Sequence, residues 1–222
     1  MSHYYHDVCT QTLGSCMKAK NLPSSYIFIW LSVKLPLIVL VGLILIPFTE
    51  KKIFKNDYNV LIFGSILGTS LFIPILLIFL NVNLYDEIRH ILFLIPFYFF
   101  LGLVSLYFYS KKIFYIAGFL SVILFVFENI KINPYQYIWF NLPSRMIDLT
   151  EKFELDYMGI SGKEISKEII KLKEKEMCIL VSPAYSVKPF LVNSKYNCFE
   201  KWQLVDTNYP RPFLAIQHVR NI

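Results

Sequence analysis

Four apolar runs, joined by short polar loops, constrain this chain more than any other feature. They are Tyr26–Phe48, Val60–Leu80, Ile91–Tyr109 and Ile113–Phe127. A helix needs roughly 20 apolar residues to cross a bilayer. The first three runs reach that length. The fourth is shorter and uses Lys111 and Lys112, which snorkel at its start. Backbone polar groups in lipid must be satisfied within the segment, so each run is expected to be a helix. Hydrophobic residues make up 55% of the chain and charged residues 17%, against about 25% charge in ordinary soluble domains. No run has the form of a cleaved signal peptide. The first lies too far from the N-terminus, and no small-residue cleavage site follows it.

The sequence therefore predicts an α-helical integral membrane protein of about four transmembrane helices, with a small C-terminal α/β extracytoplasmic domain. Its parts are an outer N-terminal segment over 1–25, the helices over 26–127, and the tail over 128–222. Lysines set the topology. Lys51, Lys52 and Lys55 follow the first run, and Lys111 and Lys112 follow the third. The positive-inside rule makes these two loops cytoplasmic and puts both termini outside. The first run then inserts with Lys18 and Lys20 on the outer side. That orientation is natural behind earlier spans, so the chain is expected to be the back half of something longer. The segment over 1–25 is polar and expected to be irregular. In the tail, Ser161-Gly162-Lys163-Glu164 has the form of a capping box. Ile165, Ile169 and Leu172 follow at helical spacing. Cys178–Val181 and Phe213–Val219 read as strands, and Trp202–Val205 as a weaker one.

Composition excludes some partners. The net charge is +6, but lysines and glutamates interleave in the tail and no basic patch with stacking aromatics occurs, so nucleic acid is not expected. Cys9, Cys16, Cys178 and Cys198 all fall on the proposed outer side, where disulfides are permitted; they fit no zinc spacing and are expected to be unpaired or incidental. His3, His6 and Asp7 are too few for a metal centre, and no metal site is expected. P-loop, GxGxxG, GxSxG and HExxH motifs are absent.

Two groups of residues carry candidate chemistry. In the loop Tyr85-Asp86-Glu87-Ile88-Arg89-His90, Arg89 and His90 stand at the start of an apolar helix. The helix dipole there favours anions, so cations need a reason. One reason is a local carboxylate, Asp86 or Glu87, with Asp86 and Arg89 three apart on one face. The other is a ligand phosphate, bound by backbone N–H groups and a guanidinium. In the latter case Arg89 is expected to face inward, with Tyr85 and Asp86 in support. The second candidate is Lys34, followed by Pro36, inside the first run. A lysine at depth pairs within the bundle or faces a ligand. The aromatic segment Asn133-Pro134-Tyr135-Gln136-Tyr137-Ile138-Trp139-Phe140-Asn141 suits a membrane interface.

Taken in order, these segments resemble the C-terminal half of bacterial membrane glycosyltransferases of the C-type superfamily, relatives of the dolichyl-phosphate-mannose–protein mannosyltransferases. Leu22-Pro23-Ser24-Ser25-Tyr26 resembles the family's "LPWYY", with Ser24 in place of tryptophan. Lys34-Leu35-Pro36 is similar to "K-x-P". Tyr85 to His90, with Ile95-Pro96, resembles "YDGxRH…P", with Glu87 in place of glycine. Asn133 to Asn141 is similar to "hPYQYxYFN". Glu154-Leu155-Asp156-Tyr157-Met158-Gly159 resembles "ELDYWG", with Met158 in place of tryptophan. The resemblance implies transfer of a sugar from a polyprenyl-phosphate donor to an acceptor at the outer face of the inner (plasma) membrane. It implies Arg89, His90 and Lys34 as phosphate-binding residues. A divalent cation at Asp86 is left open. The family's essential acidic residue lies in an earlier outer loop, so no residue here inherits the base role. The chain is expected to be inactive alone, either one half of an enzyme whose N-terminal half lies on a separate chain or a truncated product. The competing expectation is a non-enzymatic membrane protein, an interaction subunit with an outer domain.

Overall fold

The structure, a computed structural model, describes residues 9–85, 87–155, 162–171, 178–182, 199–200 and 213–217. The described residues are mostly helical. Three helices are long and apolar enough to cross a membrane: α4 (Asp57–Phe79), the helical stretch Arg89–Tyr109 and α6 (Lys111–Ile132). Within the second, a 3₁₀ turn, Arg89–Leu94, leads into α5 (Ile95–Tyr109).

The first apolar run is not one helix, which corrects the expectation of a single span over Tyr26–Phe48. It divides into α1 (Tyr26–Lys34), α2 (Leu37–Ile44) and α3 (Ile46–Ile53). Pro36 disfavours helical backbone at the residue before it, and Leu35 is extended at φ −78°, ψ 139°. Hydropathy cannot report such a break, because Leu35 and Pro36 leave the run apolar. The fourth run shows the opposite error. Its helix extends through Glu128, Asn129 and Lys131 to Ile132, residues that lower hydropathy without opposing a helix.

The helices pack by close approach. A Cβ on Gly42 of α2 would lie 2.0 Å from the Gly102 carbonyl oxygen of α5, and one on Gly102 would lie 2.6 Å from the Val39 oxygen. Small residues let two backbones meet in this way. Further along, the Thr49 and Ser105 hydroxyls share a buried hydrogen bond of 2.8 Å. Lys52 Nζ then donates to the Phe108 carbonyl at 3.4 Å. The pairs advance together, so α2 and α3 run parallel to α5. Helix α4 runs against α5. Phe63 stacks near Phe100, and the Tyr98 hydroxyl donates to the Ser70 carbonyl at 2.8 Å. Helix α6 returns from the α5 terminus, with Tyr107 and Phe114 edge to face at 5.5 Å. The two lysine-bearing loops therefore share one end of the bundle.

The opposite end carries a layer of its own. The N-terminal segment, expected to be irregular, contains an antiparallel hairpin of β1 (Cys9–Thr12) and β2 (Ser15–Lys18). Its turn has positive φ at Leu13 and Gly14, the two-residue geometry that suits strand twist. The strand is buried because it pairs beyond itself. The Glu154 N–H donates to the Gln11 carbonyl at 3.1 Å, and the Gly14 N–H to the Lys152 carbonyl at 3.0 Å. Under the hairpin lies a core of Tyr26, Trp30, Leu84, Leu94, Phe140 and Phe153. The short helix α7 (Leu149–Lys152) leads into Phe153.

In the tail, α8 (Gly162–Lys171) occupies the expected helix; its proposed cap, Ser161, lies outside the described residues. The strands β3 (Cys178–Ser182), β4 (Phe199–Glu200) and β5 (Phe213–Gln217) form a parallel sheet in the order β4-β3-β5. The expected strand Trp202–Val205 lies outside the described residues.

Candidate functional site

The break at Lys34-Leu35-Pro36 creates the site. Where a helix ends inside an apolar core, its last carbonyls need donors. Asn141 supplies them. Its Nδ2 donates to the carbonyls of Ser32 at 2.6 Å and Leu35 at 2.9 Å, and its backbone N–H donates to Val33 at 2.9 Å. Its Oδ1 accepts from the Ser144 N–H and hydroxyl, at 3.2 and 2.6 Å. One buried amide thus ties the segment after α6 to the end of α1.

Lys34, the last residue of α1, is held by that same segment. Its Nζ lies 4.1 Å from the Phe140 ring centroid and 5.7 Å from that of Trp30, and it donates to the Tyr137 carbonyl at 3.2 Å. Ring faces and a carbonyl all favour a cation. The balancing charge is Glu87, whose Oε2 lies 2.6 Å from Nζ, with both side chains about 5% exposed. The loop that bears Glu87 is fixed from α1 as well, because the Tyr26 hydroxyl donates to the Glu87 carbonyl at 3.3 Å. Trp30 Nε1 donates to the Thr12 hydroxyl at 3.1 Å, and its ring meets Phe153 edge to face at 5.2 Å. Residues from positions 12, 26–35, 87, 137–141 and 153 therefore converge on one ion pair.

The predicted site residues separate around this pair. Lys34 is at its centre. His90 is half-buried, and its ring lies edge-on to Tyr85 at 4.5 Å. Arg89 is exposed, which corrects the expectation that it faces inward. The cause is the 3₁₀ geometry of Arg89–Leu94, in which side chains three apart eclipse. Ile91 and Leu94 take the buried side, at 2% and 0% exposure, and Arg89 shares the outer side with Leu92. Asp86 lies outside the described residues. Glu87, one of the two local carboxylates expected to pair with Arg89 or His90, pairs with Lys34. It also stands where the resembled pattern has glycine, and its backbone explains why. At φ 62° it occupies the left-handed region, where glycine is at ease and a side chain is strained.

A second polar tie joins α6 to the same layer. Glu128 Oε2 accepts from Arg145 Nη2 at 2.8 Å and from Trp139 Nε1 at 2.9 Å. Arg145 also donates through Nε to the Phe140 carbonyl at 2.6 Å. This fixes Phe140, and with it one wall around Lys34. The Tyr135 hydroxyl donates to Glu164 of α8, and that bond holds the Glu164 carboxyl below its ordinary value.

Cys16 is disulfide-bonded, which corrects the expectation of unpaired cysteines. Among the described residues no three of His, Cys, Asp and Glu gather as a metal site. Compared with family models, curated proteins and solved structures, the chain matches none.

Proposed function

We propose that this chain is the C-terminal part of a membrane glycosyltransferase that moves a sugar from a polyprenyl-phosphate donor to an acceptor at the outer membrane face. One observation carries the reading. The five segments on which the resemblance rests are drawn from positions 22 to 159 of the sequence, yet four of them meet around Lys34 and Glu87 and the fifth pairs with the hairpin over that layer. Tyr26 comes from the first, Lys34 from the second, Glu87 from the third, Tyr137, Phe140 and Asn141 from the fourth, and Glu154 from the fifth. Arg89 is exposed beside that layer, at the rim where a lipid headgroup lies. There a guanidinium can fork onto a phosphate and stabilise it as the leaving group.

The orientation has two supports. The disulfide at Cys16 suits an oxidising compartment. Lys51, Lys52, Lys55, Lys111 and Lys112 lie at the opposite end, as the positive-inside rule asks of a cytoplasmic face. Both favour the inner membrane of a bacterium, with the tail outside. In this reading the base role falls to no residue of this sequence.

The test is binding of a polyprenyl monophosphate by the protein in nanodiscs. Arg89→Lys keeps the charge but loses the fork and should bind about tenfold more weakly, with Arg89→Ala weaker still. Equal binding by Arg89→Ala and the parent would overturn the assignment. Sugar transfer by this chain alone would show that a base had been overlooked. A second reading, a non-enzymatic subunit with an outer domain, has one observation in its favour: Lys34 is already neutralised by Glu87.

A further inference from the structure

Glu87 combines two unfavourable features. Its backbone sits at φ 62°, a region that costs little only without a Cβ. Its carboxylate is about 5% exposed, and burying a carboxylate is expensive unless the partner is ideal. A residue that is strained in the backbone and buried in the side chain is held by its contacts, and Lys34 supplies a charged one at 2.6 Å.

The surroundings of Lys34 do not depend on Glu87. Trp30, Phe140 and the Tyr137 carbonyl belong to α1 and to the segment fixed by Asn141 and Arg145. Glu87 arrives from a loop between Leu80 and Arg89 that is outside any long helix. A fixed cation with a tethered anion on a separate loop is the arrangement of a plugged anion site.

We propose that the Lys34 ammonium, within its surround of ring faces and a carbonyl, is an anion-binding site, occupied in this chain by the Glu87 carboxylate, and that withdrawing this carboxylate opens it to a single phosphate group. The proposal rests on the phosphate-binding role that the resemblance implies for Lys34, and adds its regulation. Glu87 acts as an internal competitor, and the phosphate-bound and self-plugged states exclude each other.

The test compares full-length parent, Glu87→Gly, Glu87→Gln and Glu87→Gly/Lys34→Met. Inorganic phosphate is one probe. Phosphatidylcholine nanodiscs with and without phosphatidic acid are the other. Glu87→Gly relieves the backbone and removes the plug. It should bind phosphate at least about tenfold more tightly than the parent, and adding Lys34→Met should abolish the gain. A gain with inorganic phosphate identifies a free-anion site. A gain with phosphatidic acid alone identifies a headgroup site. No gain, or a gain that survives Lys34→Met, overturns the proposal. If Glu87→Gly is too unstable for titration, phosphate should raise its Tm, and that of Glu87→Gln, more than the parent's. Equal shifts overturn the proposal as well. A phosphate gain here, together with no loss of polyprenyl monophosphate binding in Arg89→Ala, would sink the glycosyltransferase reading and leave this one standing.

Discussion

At the residue scale, the ion pair makes an asymmetric prediction. Lys34→Met leaves a buried carboxylate, and Glu87→Gln leaves a buried ammonium. Each single change should cost about 3–5 kcal/mol, because an unpaired buried charge is the worst outcome. The double change Lys34→Met/Glu87→Leu should recover most of that loss, as apolar pairs of similar volume often replace buried ion pairs at little cost. Denaturation in detergent of the parent, Lys34→Met, Glu87→Leu and the double change measures the coupling. Additive losses would show that the 2.6 Å contact carries no energy. Asn141→Ala would strip donors from the Ser32 and Leu35 carbonyls and should cost about 1–3 kcal/mol. A change near zero would mean that the end of α1 finds other donors. The sequence marked Lys34 correctly as a cation in need of a partner. It offered no way to choose Glu87, which is 53 positions away on another loop (87 minus 34).

At the element scale, glycine positions separate packing from lipid contact. Gly42 and Gly102 lie where two helices touch, whereas a Cβ on Gly64 or Gly68 of α4 meets nothing within 4 Å. Gly42→Leu should therefore break the α2–α5 crossing and lower the Tm sharply, while Gly64→Leu should leave it nearly unchanged. Similar behaviour of the two variants would refute the crossing. Short α7 offers a pH test. Asp148 caps it, accepting from the Thr150 hydroxyl at 2.6 Å and from the Thr150 and Glu151 N–H groups. The Thr150 hydroxyl first, then the Glu151 N–H, hold its carboxyl below the ordinary value. A depressed aspartate stabilises the folded form above its unfolded pKa and loses that contribution as pH falls through its folded one. Amide exchange at Thr150 and Glu151 should therefore speed up, once corrected for intrinsic rate, only below about pH 4. In Asp148→Ala it should be fast at neutral pH too. Caps of the same kind start α4, where Asn56 accepts from the Tyr58 N–H, and α6, where Ser110 accepts from the Ile113 N–H. Pro36 marks the break after α1 along the sequence, but periodicity does not say whether a helix resumes in line.

At the scale of the whole molecule, the two ends of the bundle differ in kind. One end bears the lysine loops. The other bears the hairpin, the Lys34–Glu87 pair and the Glu128–Arg145 pair. Single-cysteine labelling at Lys52 and at Leu13, the exposed hairpin tip, should modify the first from the cytoplasm and the second from outside. Reaction of both from one side would refute the topology. What the sequence alone determined was the medium and the pitch: long apolar runs must be helices in lipid, and lysine placement orders the loops. Those follow from local composition, since each helix satisfies its own backbone. The tertiary structure alone decided which loops meet. The hairpin became ordered by pairing with Glu154, Arg89 turned outward because Ile91 and Leu94 took the core side, and Glu87 accepted a strained backbone to reach Lys34. Each depends on contacts between distant segments, where burial outweighs local preference, and no periodicity along the chain records such a contact.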